Sequence, residues 1–435
     1  MSDKNKDLKR TMTLFPAIMT VVTCIIGSGI FTVPGEVMSV ANGSGPNMAA
    51  WIIAGIACLL MAFVYVELAP SLPTSGGAYG FLRKAYGDKA AFFFGWSNMI
   101  SHVSILAMMS LAFTNYLQFF FTMSNVNAKL LATALVIFVA LINMKGLKLG
   151  SVIMSGFTVG KLVALGLVIC AGVFAIKGIN FQPIASDTQG WSTTMSAAVP
   201  AIFAFGGYNQ FAYMSGEVKD PTKTIPKAIL FGMLIVIAFN ILLSVICTGV
   251  LGVSTLAGSD RAIADAAGVI FGRVGGSIVG IGALVSIFGS LNGSIMAMPR
   301  MVFAMANDKL LPSFFAKVHK ENDTPYVAIG LYAVLAIGLL WSGQFGTLLM
   351  MGTFLGRILE VMVASTLYTL RKKFPDLPRP SKMWGYPFTY IGVIIITIVL
   401  AFLVPIEQIK MAIILASTSI PAYFIFKFIK KKETV

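Results

Sequence analysis

Long apolar stretches with few charges inside them, repeated from residue 12 to residue 429, limit what this chain can fold into more than any other feature. Each is near the roughly 20 residues that a helix needs to cross about 30 Å of hydrocarbon. An open sheet would leave its edge amides unsatisfied in lipid, and the short alternating segments of a barrel are absent. Membrane-crossing helices are the remaining solution. Composition agrees, at 57% hydrophobic and 11% charged residues, where a soluble domain carries about a quarter charged. The first ten residues are rich in charge, and the apolar run after them continues well past the length of a signal-peptide core, so no cleavable signal is expected.

Polar breaks divide the runs into spans over 12–36, 46–70, 90–121, 128–146, 151–177 and 193–215, and then over 226–252, 275–306, 325–342, 346–370, 386–405 and 409–429. The expectation is an all-α membrane domain of about twelve helices. The net charge of +15 would suggest nucleic acid in a soluble protein, but its distribution points elsewhere. With a cytoplasmic N-terminus, 25 Lys and Arg fall on inside segments, and only Lys129, Lys177, Arg261, Arg273 and Lys410 fall outside. That asymmetry places both termini in the cytoplasm. It makes the basic patches topology signals with lipid headgroups as neighbours, and no nucleic-acid partner is expected. The connecting regions 253–274 and 307–324 are long enough to hold short surface helices.

Two spans are interrupted at corresponding depths, by Gly27, Ser28 and Gly29 in the first and by Gly206 and Gly207 in the sixth. Glycine costs roughly 1 kcal/mol in a helix interior relative to alanine, so clusters of it near mid-membrane call for a reason. Unwinding is one. The half-helix after a break presents free N–H groups and the positive end of its dipole, which suit a carboxylate. The half before it presents free carbonyls, which suit an ammonium. Paired breaks in repeated halves mark the binding site of many transporters, LeuT among them. Close helix packing through small residues is the competing explanation, but Gly27, Ser28 and Gly29 are consecutive, not four apart. Phe203 reads either as ordinary core or as an aromatic lid.

Among the intramembrane polar residues, Lys161 lies ten residues into the fifth span, too deep to snorkel comfortably, and is a functional candidate. Its ammonium can stand where a sodium ion sits in related transporters, between first-span carbonyls and eighth-span hydroxyls such as Ser286 or Ser290. If deprotonated it can couple transport to protons instead. Arg357 and Glu360, one turn apart in span ten, read as a self-neutralising pair or as a gate. Glu36 and Glu67 read as wetted residues near span ends, and His102 as hydrogen-bonded structure. Cys24, Cys58, Cys170 and Cys247 all lie in apolar runs with no disulfide or metal spacing, and read as packing residues. An enzyme would need paired acids, a nucleophile–histidine pair or metal ligands on facing spans. The only histidines are His102 and His319, and no cofactor is expected. A channel would need polar faces along several spans, and none is apparent.

With these residues in view, the chain resembles the amino acid, polyamine and organocation superfamily, and within it the bacterial standalone members of the L-amino-acid transporter branch. The carrying motifs are Ile26-Gly27-Ser28-Gly29-Ile30-Phe31 with Pro34, and Phe203-Ala204-Phe205-Gly206-Gly207-Tyr208-Asn209. The Glu217 to Pro221 segment with Ile225 to Ile229, the loop Pro73, Gly76, Gly77, Ala78, Tyr79, and the series Arg300, Asp308, Pro312, His319, Thr324, Pro325 add to them.

The resemblance implies a LeuT-like core of five plus five inverted repeats, over 12–177 and 193–370, with discontinuous helices one and six and two further helices over 386–429. It implies alternating access and transport of an amino acid. Ile26, Gly27, Ser28 and Gly29 would receive the carboxylate. Phe203, Ala204 and Gly206 would lie at the amino group and gate, with Ile25, Phe205 and Asn209 nearby. Lys161, matching the family's span-five lysine, implies sodium independence. Animal members of the branch bind a glycoprotein through a cysteine between spans three and four. This chain has none in 122–127, so no disulfide-linked heavy subunit is expected. The implied function is sodium-independent exchange of neutral, small L-amino acids in the cell membrane. Proton-coupled uptake and a cationic amino acid or polyamine carrier are the alternatives, the latter disfavoured because no acidic residue is expected beside either break.

Overall fold

A computed structural model describes residues 12–72, 77–145, 151–176, 190–209, 218–319 and 324–433, apart from the side chains of 151–161, 221 and 429–433. The regular elements among the described residues are helices, with one isolated bridge between Met12 and Val218, where the Lys219 N–H donates to the Met12 carbonyl at 2.9 Å. In chain order the helices are α1 (Leu14–Ile25), α2 (Gly29–Thr32), α3 (Pro34–Ala41), α4 (Ser44–Ser71), α5 (Ala78–Tyr86), α6 (Asp88–Leu117), α7 (Asn125–Met144), α8 (Ser151–Ala175) and α9 (Gly190–Phe203). Then follow α10 (Pro221–Leu251), α11 (Val253–Ala257), α12 (Ala262–Ala297), α13 (Pro299–Asn307), a 3₁₀ turn (Ser313–Ala316), α14 (Tyr326–Ser342), α15 (Phe345–Lys373), α16 (Phe388–Phe402), α17 (Ile406–Ser417) and α18 (Ser419–Glu433). Seven helical stretches among the described residues are long and apolar enough to cross a membrane, and four shorter apolar helices stand beside them.

Local chemistry explains many of the boundaries. Ser124 caps α7, its hydroxyl accepting from the Asn127 N–H. Pro34 opens α3 at a position where no N–H is needed. Gly87, at φ +84°, separates α5 from α6 in a left-handed conformation that a side chain would strain. Arg371, Lys372 and Lys373 occupy the last turn of α15, where cations suit the dipole. Arg379 then turns back and donates to the carbonyls of Leu370, Phe374, Pro375 and Leu377. Both long connections do hold short helices, α11 and the 3₁₀ turn. The helix of the eighth span begins earlier than the hydrophobic run suggests, at Ala262, and bends at Gly272, whose φ is +72°. In that same loop burial raises the Asp260 carboxyl above its ordinary range; Arg261 opposes the shift and Asp265 adds to it.

Packing sorts the helices. α4 lies against α9 and α10, α1 against α10 and α3 against α9, while α6 packs on α15, α14 and α12. Gly352 and Gly356 bring α15 close to α6, where Ser101 Oγ donates to the Gly352 carbonyl at 2.9 Å. On α8, by contrast, Val163, Leu167, Cys170 and Phe174 form one exposed stripe, with Phe174 90% exposed. In water such a stripe would be a liability; in a membrane it is a lipid-facing surface. Cys170 therefore belongs to that surface and not to the packing of the bundle.

Glu67 also departs from expectation. It is 2% exposed, not wetted. Arg371 grips it with Nε to Oε1 at 2.8 Å and Nη2 to Oε2 at 2.5 Å, the Met383 N–H donates to Oε2 at 2.7 Å, and Arg379 lies at 3.5 Å. The Arg371 guanidinium also lies over the Tyr386 ring, 3.8 Å from its centroid. The end of α4 is thereby fastened to the end of α15 and to the segment after it. Arg371→Leu should destabilise the protein by about 2 kcal/mol, below the usual range for breaking a buried pair, because Arg371 is 24% exposed and partly screened. Glu67→Gln, which still accepts from Met383, should cost less. Melting temperatures in detergent check the order.

Candidate functional site

The first break is a tight reversal. α1 ends at Ile25, and the Gly27 N–H donates back to the Ile25 carbonyl at 2.7 Å across Ile26, whose φ and ψ are −69° and 79°. These are the values of an inverse γ-turn. Helix resumes at Gly29. Among the described residues no backbone carbonyl accepts from the N–H groups of Ser28, Gly29 or Ile30, so three donors open at this point. Ile25, Ile26, Ser28 and Gly29 are buried, and Gly27 is half-buried.

The second break unwinds gradually. Pro200 lies inside α9, where it cannot donate to the preceding turn. The N–H groups of Ala204, Phe205 and Gly206 then bond three residues back, to Ala201, Ile202 and Phe203, at 3.0, 3.0 and 3.1 Å. This is a tightening of 3₁₀ type. Gly207 follows at φ +112°, and helical backbone returns at Tyr208 and Asn209. Ala204 and Phe205 are buried, Phe203 and Asn209 half-buried, and Gly206 exposed.

The two breaks touch through their backbones. A Cβ on Gly29 would stand 2.7 Å from Ala204 Cα and 3.1 Å from the Phe203 carbonyl oxygen. A Cβ on Gly207 would stand 2.2 Å from the Cys24 carbonyl oxygen. Neither approach admits a side chain. On the other side of the first break, Ser286 Oγ donates to the Gly27 carbonyl at 3.3 Å, and Ser290 Oγ donates to the Ser286 carbonyl at 3.0 Å. The structure thus gathers Ser286 and Ser290 of α12 with Gly27. Lys161 has its backbone in α8, which packs on α12, but its side chain lies outside the described residues. So do Pro73, Gly76 and Glu217.

Aromatic residues frame the breaks. Phe205 is edge-on to Trp51 of α4, ring centroids 6.0 Å apart, so its side chain is committed to the packing beneath the break. The Tyr116 hydroxyl donates to the Phe31 carbonyl at 2.5 Å. Arg357 and Glu360 do pair across one turn of α15, and the Glu360 carboxylate also accepts from the Tyr208 hydroxyl. An acidic residue therefore does stand beside the second break, contrary to the sequence reading, with an arginine balancing its charge. Tyr208 and Pro200 escaped sequence reasoning as site residues. A proline in an apolar run three residues before Phe203 was a readable signal; the link from Tyr208 to span ten was not. His102 is hydrogen-bonded to the Asn98 carbonyl at 2.8 Å. No three metal-ligating side chains gather among the described residues.

Two interrupted helices thus meet backbone to backbone inside an apolar bundle. The amino acid permease family model matches residues 12–426. The chain belongs to that family. It is an amino acid transporter of the amino acid, polyamine and organocation superfamily, and not an enzyme. It is 30% identical to the serine/threonine exchanger SteT of Bacillus subtilis over 393 residues, covering 89% of each chain. It is 28% identical to the branched-chain amino acid permease BcaP of the same organism, over 88% of this chain and 85% of that one. It is 29% identical to the human large neutral amino acids transporter small subunit 2, over 96% and 80%.

Gly29→Ala and Gly207→Ala should each lower transport more than tenfold with the protein still made, since either Cβ must push the breaks apart. Gly282→Ala in α12, where a Cβ would meet nothing within 4 Å, should leave transport within about twofold, as local strain is absent there. Initial uptake rates normalised to membrane protein make the comparison.

Proposed function

We propose that this transporter is a sodium-independent exchanger of neutral, small L-amino acids, working by alternating access in the cell membrane. It would do so with about twelve helices, a LeuT-like core of two inverted five-helix repeats, and both termini in the cytoplasm. The observation that carries the reading is the contact between the two breaks, which brings free N–H donors at Ser28, Gly29 and Ile30 next to the carbonyl end of α9. The substrate carboxylate is assigned to Ile26, Gly27, Ser28 and Gly29, and the amino group to Phe203, Ala204 and Gly206. Ile25, Phe205 and Asn209 lie around them. Backbone groups suit the parts common to all amino acids, and the helix dipoles favour each charge at its own end.

Exchange of a small neutral substrate is supported by the similarity to a serine/threonine exchanger. Among the described residues, the acidic group beside the second break, Glu360, is already neutralised by Arg357, which disfavours a cationic substrate. Sodium independence rests on Lys161, whose ammonium is assigned to the region of the Gly27 carbonyl and Ser286, with Ser290 one turn along.

In liposomes, uptake of radiolabelled serine should require internal amino acid and no sodium or proton gradient; equal uptake into empty vesicles would sink the exchange reading. Lys161→Ala should change transport rate or sidedness more than equilibrium binding, and unaltered kinetics on both faces would make the lysine a structural residue.

A further inference from the structure

Arg357 and Glu360 are charges in the interior of an apolar helix, and stability alone does not account for them. Replacing a buried ion pair by packed apolar side chains is often neutral or stabilising, and intramembrane charges carry an additional penalty. Arg357 is 7% exposed. Its Nη2 donates to Glu360 Oε1 at 2.8 Å and its Nη1 lies against Oε2, so the two charges cancel within one turn of α15. The same Oε1 accepts from the Tyr208 hydroxyl.

Tyr208 is where the broken span becomes helical again, directly after Gly207, whose backbone lies against the Cys24 carbonyl. The stretch between Phe203 and Tyr208 lacks the continuous i→i−4 ladder of a helix, so its end must be fixed from outside. α15 is suited to do that. Gly352 and Gly356 seat it on α6, with the Ser101 hydroxyl on the Gly352 carbonyl, and the carboxylate is offered one turn further on. Tyr65 of α4 closes the cluster, edge-on to Tyr208 with centroids 6.0 Å apart.

We propose that Arg357 and Glu360 are positioning residues: together they form a neutral polar seat for the Tyr208 hydroxyl, and this seat sets where the second half of the broken span starts relative to Gly27 and Gly29. Glu360 is the acceptor, Arg357 keeps it charged and oriented, and Tyr208 transmits its position to the break. Only the transport arm of the test below rests on the exchanger reading.

The test compares Tyr208→Phe, Glu360→Gln and the double variant in the purified full-length protein. The first readout needs no substrate: amide hydrogen exchange over residues 204–209, with the melting temperature in detergent alongside. Each single variant should exchange about tenfold faster there, the equivalent of one hydrogen bond to a charged group. Tyr208→Phe should keep the wild-type melting temperature to within a few degrees. The double variant should be no faster than the faster single to within about twofold, because both changes remove one shared bond. The second readout is serine exchange in liposomes, where Tyr208→Phe should lower kcat/KM about tenfold. Wild-type amide exchange in Tyr208→Phe, or effects that multiply in the double variant, would overturn the proposal. If Glu360→Gln does not fold, Tyr208→Phe alone decides it through residues 204–209. Faster amide exchange in the variants of a wild-type protein that transports no amino acid would sink the exchanger reading and leave the seat standing.

Discussion

The backbone of one broken helix pressed against the backbone of another is the constraint on which the rest of the structure depends. At Gly29 the separation from Ala204 leaves no room for a methyl group, and at Gly207 the Cys24 carbonyl occupies the place of one. Irregular backbone is tolerated inside a membrane only where protein or a wetted cavity, not lipid, surrounds it. Each break gives the other part of that surround. The remaining neighbours follow: α3 lies on α9, Trp51 packs under Phe205, and Tyr116 satisfies the Phe31 carbonyl that the interrupted helix leaves over. The two glycines are required for different reasons. Gly29 needs only closeness, whereas Gly207 needs closeness and a positive φ that L side chains rarely adopt.

Hydropathy and glycine placement made the helical membrane class and both breaks legible before any coordinates, because each is a local property of the chain. A run long enough to span and a cluster that costs helix stability are read over a few residues. Glu67 was misread because its environment is built by Arg371, Arg379 and Met383, some 300 positions away, and nothing next to it in sequence announces them. Glu360 beside the second break was missed for the same reason, since the bond from Tyr208 spans 152 positions. The ends of spans eight and twelve were blurred differently. Gly272 bends α12 without ending it, and Thr418 separates α17 from α18, within stretches of uniform hydropathy. Ser286 was expected near the first-span carbonyls only by analogy with the sodium site of related transporters, and its hydroxyl lies 3.3 Å from the Gly27 carbonyl.

α4 connects these separate features. Trp51, Cys58 and Tyr65 are seven residues apart and so share one face, drifting only about 20° per heptad. That face meets the second break and its support in turn: Trp51 against Phe205, Cys58 beside Arg357, Tyr65 against Tyr208. A further half turn on, Glu67 binds Arg371 of the helix that carries Arg357 and Glu360. One continuous helix of 28 residues thus runs alongside an interrupted one and is pinned to α15 near its end. A continuous helix keeps its backbone bonds internal and resists bending, while unwound residues such as Ala204 to Gly207 have little rigidity of their own. The rigidity of the break is therefore borrowed from α4 and α15. Any rearrangement of the break must slide Phe205 and Tyr208 along the Trp51 to Tyr65 face, and the aromatic contacts and the Tyr208 bond to Glu360 are the interactions such a movement would have to exchange.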